Sequence, residues 1–325
     1  MNGDDSHSDE DTERKNGFLE NEPRRTHRTD PTANGRKPIA SGRLVPNDRG
    51  LDSSAAIAEK LGAAFNRELT AKRSQELATL YFGDIAHVVP ELVTNVDIEQ
   101  GTINSMKAFI EPHKNTSWIF VDDRLDSWLF TLNFLTTYRA CYTTAMKIDP
   151  KLISWTERIL RLGAAQNPGA EQLKLRDEVG ALFIAHARIL PSVNALTVSM
   201  IVFLMCHEIA HHNLDHLNQA VNPLHELEAD KLAYEIFLRV ADKRNELKHA
   251  QIDLSTTCAP CLMLTYFRGM TLLLNGRDDE TKAHPPIFVR LEALQKLGAP
   301  GWSAASHEKH TELNRQFSIL ANQAS

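Results

Sequence analysis

Large apolar side chains are almost absent from the first 50 positions; beyond them they recur at helical spacing along most of the chain. Residues 1–50 are rich in charge, Asn, Gly and Pro, acidic at first (Asp4, Asp5, Asp9, Glu10, Asp11, Glu13) and then basic (Arg24, Arg25, Arg28, Arg36, Lys37, Arg43, Arg49). Such a segment cannot bury enough surface to offset its ordering entropy, so a disordered tail is expected. From Leu51 the steps of three and four in "SSAAIAEKLGAAFNRELTAKRSQELATLYF" predict a helix with a serine N-cap. The periodicity fades over residues 90–116, where Pro90, Gly101 and Pro112 fall. "SWIFVDD" (117–123) is the strand candidate, a compact β-branched and aromatic run closed by two aspartates.

The helical period then returns. "LDSWLFTLNFLTTYRACYTTAMK" predicts a helix with an aromatic core face, followed by Pro150, and residues 170–190 predict another, stopped by Pro191. Further helices are expected over about 194–214, about 224–241 and 259–275. "PPIFVRLEALQKLG" opens on prolines and closes on Gly298, the usual asymmetry of a helix. No repeat or interior linker interrupts this. The expected fold is mainly α (α+β): one helical domain over 51–325 with a small β element, behind the tail of residues 1–50.

Composition narrows the classes. With 325 residues and 42% hydrophobic content the chain can build a sizeable core. A net charge of -6 gives no general drive toward nucleic acid or an anionic membrane. The longest uninterrupted apolar run, Val198 to Cys206, is far short of the roughly 20 residues that span a bilayer, so no membrane insertion is expected. The opening "MNGDDSHSDEDTERK" has no secretory pattern, and four cysteines (Cys141, Cys206, Cys258, Cys261) make no disulfide framework. A cytoplasmic protein is the expectation; nothing in the pattern sets an oligomeric state.

One stretch carries chemistry. Residues 206–212 read "CHEIAHH" and a second acidic stretch, "ELEAD", begins at Glu226. On a helix, positions four apart project from one face, about 40° apart, so His207 and His211 can point at one metal ion. Glu208 sits one step round from His207, placed to act as a general base rather than a ligand. A catalytic zinc site needs a third protein ligand and an open position. His216 is one residue early for the H-E-x-x-H-x-x-G-x-x-H pattern, whose glycine and final histidine positions hold Leu214 and Leu217, and on a continuing helix it would face away. Glu226 and Asp230 share a face, so Glu226 can ligate while Asp230 accepts a hydrogen bond from a ligating histidine. Glu228, about 200° round from Glu226, is the rival. Glu226 is the preferred third ligand, in a site for one zinc ion.

H-E-x-x-H followed by E-x-x-A-D resembles the gluzincin metallopeptidases. Together with His284, Pro285, Pro286 and Arg290 in "AHPPIFVRLEAL", it resembles the catalytic core of the CAAX-prenyl-protease/HtpX-type peptidases over about residues 195–297, without their membrane helices. The Lit-type phage-exclusion peptidases are a second relative with H-E-x-x-H. The resemblance implies a zincin-like catalytic domain, a peptidase acting on a protein or peptide substrate, with zinc on His207, His211 and Glu226 and Glu208 as base. His284, Tyr234 or Arg290 would donate to the developing oxyanion, and the "SWIFVDD" strand would offer an edge to the substrate.

Other residues have plainer readings. His212 and His216 suit solvent or partners of the ligands, and His225 suits the surface. His284 could instead cap the following helix, and Arg290 could pair with Asp230 or Glu292. "CAPC" (258–261) reads as two reduced thiols near a helix start, since no βαβ pattern surrounds it. Two rival functions stand beside a general peptidase. One is a non-catalytic zinc-binding interaction protein with a helical docking domain. The other is a peptidase dedicated to one intracellular protein, in regulation or phage defence.

Overall fold

The computed structural model describes residues 79–101, 108–122, 124–142, 150–164, 169–246, 258–278 and 284–298, with isolated positions 281, 307, 310, 311, 313 and 315. The tail over residues 1–50 lies outside the described residues, as does most of the helix expected from Leu51, of which 79–88 (α1) is helical. After it come β1 (Val96–Gly101), β2 (Ala108–His113) and β3 (Thr116–Asp122). Helices follow: α2 (Leu125–Tyr142), α3 (Pro150–Ala164), α4 (Gly169–Ala185), α5 (Leu190–Asn213), α6 (Pro223–Glu246), α7 (Ala259–Asn275) and α8 (Ile287–Gly298). The fold is mainly helical with one small sheet, as the pattern predicts.

α5 is the axis of the domain. Every residue from Ser199 to Ala210 is buried, which a helix apolar on all sides requires. It packs against α2, α6, α7 and the sheet. With the 3-10 turn before it, Ala187–Asn213 makes 27 residues, long and apolar enough by composition to cross a membrane, and 72% of that apolar stretch is buried inside the domain. Counting only the uninterrupted run missed this length. A polar bolt crosses the core here. Asn133 of α2 donates to Thr197 Oγ1 of α5 at 3.0 Å and accepts from the Tyr266 hydroxyl of α7 at 2.9 Å. These pairings leave the buried amide and phenol satisfied and fix three helices in register.

Two prolines open helices. Pro191 begins α5 rather than ending a helix at 190, and Pro150 begins α3, which the sequence reading did not assign. Proline's missing N–H costs nothing in a first helical turn.

The sheet order is β1-β3-β2, with β1 parallel and β2 antiparallel to β3. β3, which holds the predicted strand as far as Asp122, is therefore the central strand, paired on both sides, and has no free edge for a substrate; β1 and β2 are the edges. Neither edge is legible locally, because Asp97, Glu99, Glu111 and Pro112 dilute the apolar pattern. The pairing makes them strands. Phe109 falls opposite Phe120 with ring centroids 5.1 Å apart, and Pro112 is tolerated where a ladder donor is dispensable.

Gly163 explains how α3 reaches α2. Trp128 of α2 donates its indole N–H to the Ile159 carbonyl at 2.8 Å and stacks on Phe267 of α7 at 5.8 Å. A Cβ on Gly163 would come within 2.7 Å of that ring. Gly163→Ala should destabilise the protein by about 1–3 kcal/mol, because the buried indole must move. Urea unfolding checks this, and an unchanged midpoint would show that the ring has room to give.

Candidate metal centre

The last turns of α5 and the first turns of α6 meet around a short connection. α5 ends at Asn213, and Asp215 adopts the left-handed conformation at φ 58°, which turns the chain sharply. Asn218 donates to the Asp215 carboxylate at 2.6 Å and holds the turn. α6 then starts on Asn-Pro: the Asn222 side chain accepts from Leu224 N–H at 3.0 Å while Pro223 takes the first helical position. Glu226 consequently stands in the first turn of α6, where a carboxylate suits the helix dipole.

Three ligand atoms converge across this junction. The Nε2 atoms of His207 and His211 lie 3.0 Å apart. Glu226 Oε2 is 3.4 Å from His207 Nε2, and Oε1 is 3.5 Å from His211 Nε2. Tetrahedral zinc with ligand bonds near 2.05 Å sets its ligand atoms about 3.3 Å from one another, so this donor set fits that ion. Among the described residues these three form the one such group.

Around them lies a charged shell. His207 Nδ1 is 3.0 Å from Asp230 Oδ1, a close contact set off the line of a well-formed hydrogen bond. Arg290 of α8 clasps Asp230 through Nε and Nη2 at 2.7 and 2.8 Å, and its Nη1 reaches Glu226 Oε2 at 2.7 Å. His284 Nδ1 approaches Glu226 Oε1 at 3.2 Å. The pairing of Arg290 is thus with Asp230 and additionally with Glu226. His284 is not the cap of α8: Asp278 is, accepting from the N–H groups of Ile287 and Phe288 at 2.8 and 2.9 Å.

These contacts set the protonation of the site. Burial disfavours the charged form of Glu226, but Arg290, then His207, His211 and His284, outweigh it and hold the carboxyl well below the usual range. Asp230 is also held low, Arg290 and His207 overcoming burial. Burial works against a charged His207, yet Asp230 and Glu226 lift its pKa to about 10. Glu208 differs: burial pushes its carboxyl up, and the nearby His207 and His211 only partly offset this. A carboxylate made more basic by desolvation is suited to accept a proton.

Of the two readings open for His212 and His216, solvent or partner of the ligands, His216 takes the second. The expectation that His216 faces away assumed a continuing helix. Because the helix stops and Asp215 reverses the chain, His216 is buried, with Nδ1 3.0 Å from His211 Nδ1 and Nε2 3.1 Å from Glu228 Oε2. His225 is not a plain surface group, since its ring stacks on His216 at 4.1 Å with an 8° interplanar angle. His212 Nδ1 meets Ser117 Oγ at 2.9 Å, tying the motif helix to β3. Tyr234 belongs to the buried core beside Phe237. Cys258 and Cys261 form no disulfide and are buried at the start of α7, and burial raises the Cys261 pKa.

The chain matches the family model for Peptidase U49 over residues 131–307, more than half its length, and belongs to that family, a Lit-like group of peptidases. It is a peptidase by that membership. The match extends well beyond the 195–297 segment that carries the motifs, from within α2 past α8, and leaves the sheet outside. No curated protein and no solved structure matches the chain.

Removing the guanidinium tests the charge balance. Arg290→Met should destabilise chelator-treated protein by roughly 3 kcal/mol at pH 7, because two carboxylates lose their buried counter-charge. The pH dependence has a definite sign. Carboxyls whose folded pKa is depressed contribute stability above their unfolded value of about 4 and lose it as pH falls toward the folded value. The gap between wild type and variant should therefore narrow as pH falls from 7 and go on narrowing below about pH 4, since the variant's buried carboxyls take up protons before those of the wild type. Thermal unfolding across pH measures it; a gap that widens toward acid would contradict the assignment.

Proposed function

We propose that this peptidase is a zinc metallopeptidase, with zinc held by His207 and His211 through Nε2 and by the Glu226 carboxylate. The observation that carries the reading is the convergence of these three atoms beside a buried, basic Glu208. A zinc ion there would supply Lewis acidity toward a carbonyl oxygen and toward water. The chain's own residues do the rest. Glu208 takes a proton onto its carboxylate from the attacking water and returns it to the leaving amine. Asp230 and Arg290 hold His207 and Glu226 in place, and the well-packed α5 keeps them from drifting. His284 is the most exposed of the groups touching Glu226, at 37%, and is the donor best placed to meet a substrate. An extended peptide would pair with β2, the edge strand packed against α5, rather than with β3.

We further propose a dedicated intracellular protein as substrate, in a regulatory or phage-defence role; the Lit-like family supports this. A non-catalytic zinc-binding protein is the weaker reading. Structural zinc sites close with four protein ligands, whereas three converge here, and a structural site has no use for Glu208.

Glu208→Gln keeps shape and polarity but removes the proton acceptor. Peptide cleavage should fall by at least about 100-fold while zinc per chain is unchanged. Glu226→Ala, in contrast, should lose zinc and activity together. Metal analysis by mass spectrometry, paired with cleavage of a peptide library, reads both. Equal cleavage by wild type and Glu208→Gln, both zinc-loaded, would end the metallopeptidase reading.

A further inference from the structure

The two histidine ligands are oriented by different devices. His207 turns its Nδ1 toward a carboxylate, Asp230, which is 1% exposed. His211 turns its Nδ1 toward another imidazole, that of His216, at 3.0 Å. Two facing ring nitrogens at that distance can share only one proton, so one must donate and the other accept. An imidazole that ligates through Nε2 as a neutral ring carries its proton on Nδ1, which makes His211 the donor. His216 Nδ1 is then the acceptor, and the His216 proton must sit on Nε2. That atom lies 3.1 Å from Glu228 Oε2, which can only accept when ionised. Each link fixes the next.

We infer that His216 is a positioning residue for His211, and that Glu228 holds His216 in the one tautomer that can accept from His211; the inference rests on the zinc reading above. The ring plane of His216 is set independently, by its stack on His225 at 4.1 Å. Its place in space is set by the left-handed turn at Asp215. Glu228, the residue that competed with Glu226 as a ligand, acts through two imidazoles instead of touching the metal. Its side chain is 61% exposed, so this arm of the site ends in solvent whereas the Asp230 arm ends in the core.

The test uses full-length protein and zinc competition against a chelator of known affinity. His216→Phe keeps a flat ring to stack on His225 but cannot accept, and should weaken zinc binding by about 10–100-fold. His216→Gln restores an acceptor oxygen and should recover most of that loss, a rescue that a purely space-filling role would not give. Glu228→Ala should retain zinc at full stoichiometry with a smaller loss of affinity. Independently of any variant, nitrogen NMR of histidine-labelled, zinc-loaded wild type should find both rings neutral, with the proton on Nδ1 of His211 and Nε2 of His216. A proton on His216 Nδ1, or equal zinc affinity in wild type and a folded His216→Phe, would overturn the inference and leave the zinc reading standing. If His216→Phe does not fold, the tautomer measurement alone decides. Failure of wild type to bind zinc would remove both.

Discussion

The site depends on one guanidinium. Glu226 and Asp230 lie one helical turn apart on α6, both buried, and both ionised because Arg290 spans them with three short contacts. Without that counter-charge the two carboxylates would repel each other in a poorly solvated place, and protonation would be the cheaper outcome. A protonated Glu226 is no ligand, and a protonated Asp230 cannot hold His207. Arg290 is in turn aimed by α8, whose first turn is fixed by Asp278, a residue in the segment between α7 and α8. The acidic helix, the basic helix and the cap between them form one electrostatic unit.

α5 supplies the other half by serving two purposes along its length. Most of it is core, apolar on all sides and pinned to α2 and α7 through Asn133, Thr197 and Tyr266. Only the last two turns become chemical, and there the same burial that stabilises the helix desolvates Glu208 and His207. Catalytic groups held on a helix that forms the core lose little precision to local motion. The cost is that polar groups must be satisfied by partners brought from elsewhere. Ser117 from β3 and His216 from the following turn meet that demand for His212 and His211, and Asp230 from α6 sets a carboxylate 3.0 Å from His207 Nδ1.

Sequence periodicity revealed those parts whose geometry is local. The i, i+4 spacing of His207 with His211, and of Glu226 with Asp230, is a property of any helix, so these groups could be assembled on paper. The span of α7 was equally legible, because an apolar run bounded by Ala-Pro and Asn-Gly needs no distant partner. What was missed depends on the tertiary fold. β1 and β2 are strands only because β3 lies between them. Pro150 looks the same whether it ends one helix or starts another. His216 enters the site because one residue, Asp215, turns left-handed, and its partner Glu228 is then twelve residues away. No window of sequence contains that information.

In the proposed site the metal sits on imidazole and carboxylate at the α5–α6 junction and not on thiols. X-ray absorption at the zinc edge of the loaded, full-length protein distinguishes the two. Zinc on His207, His211 and Glu226 should show a shell of nitrogen and oxygen atoms at about 2.0–2.2 Å, with imidazole scattering from two rings and no sulfur. Sulfur at about 2.3 Å would instead place the metal on cysteine, with Cys258 and Cys261 the first to consider, and would rule out the imidazole–carboxylate site.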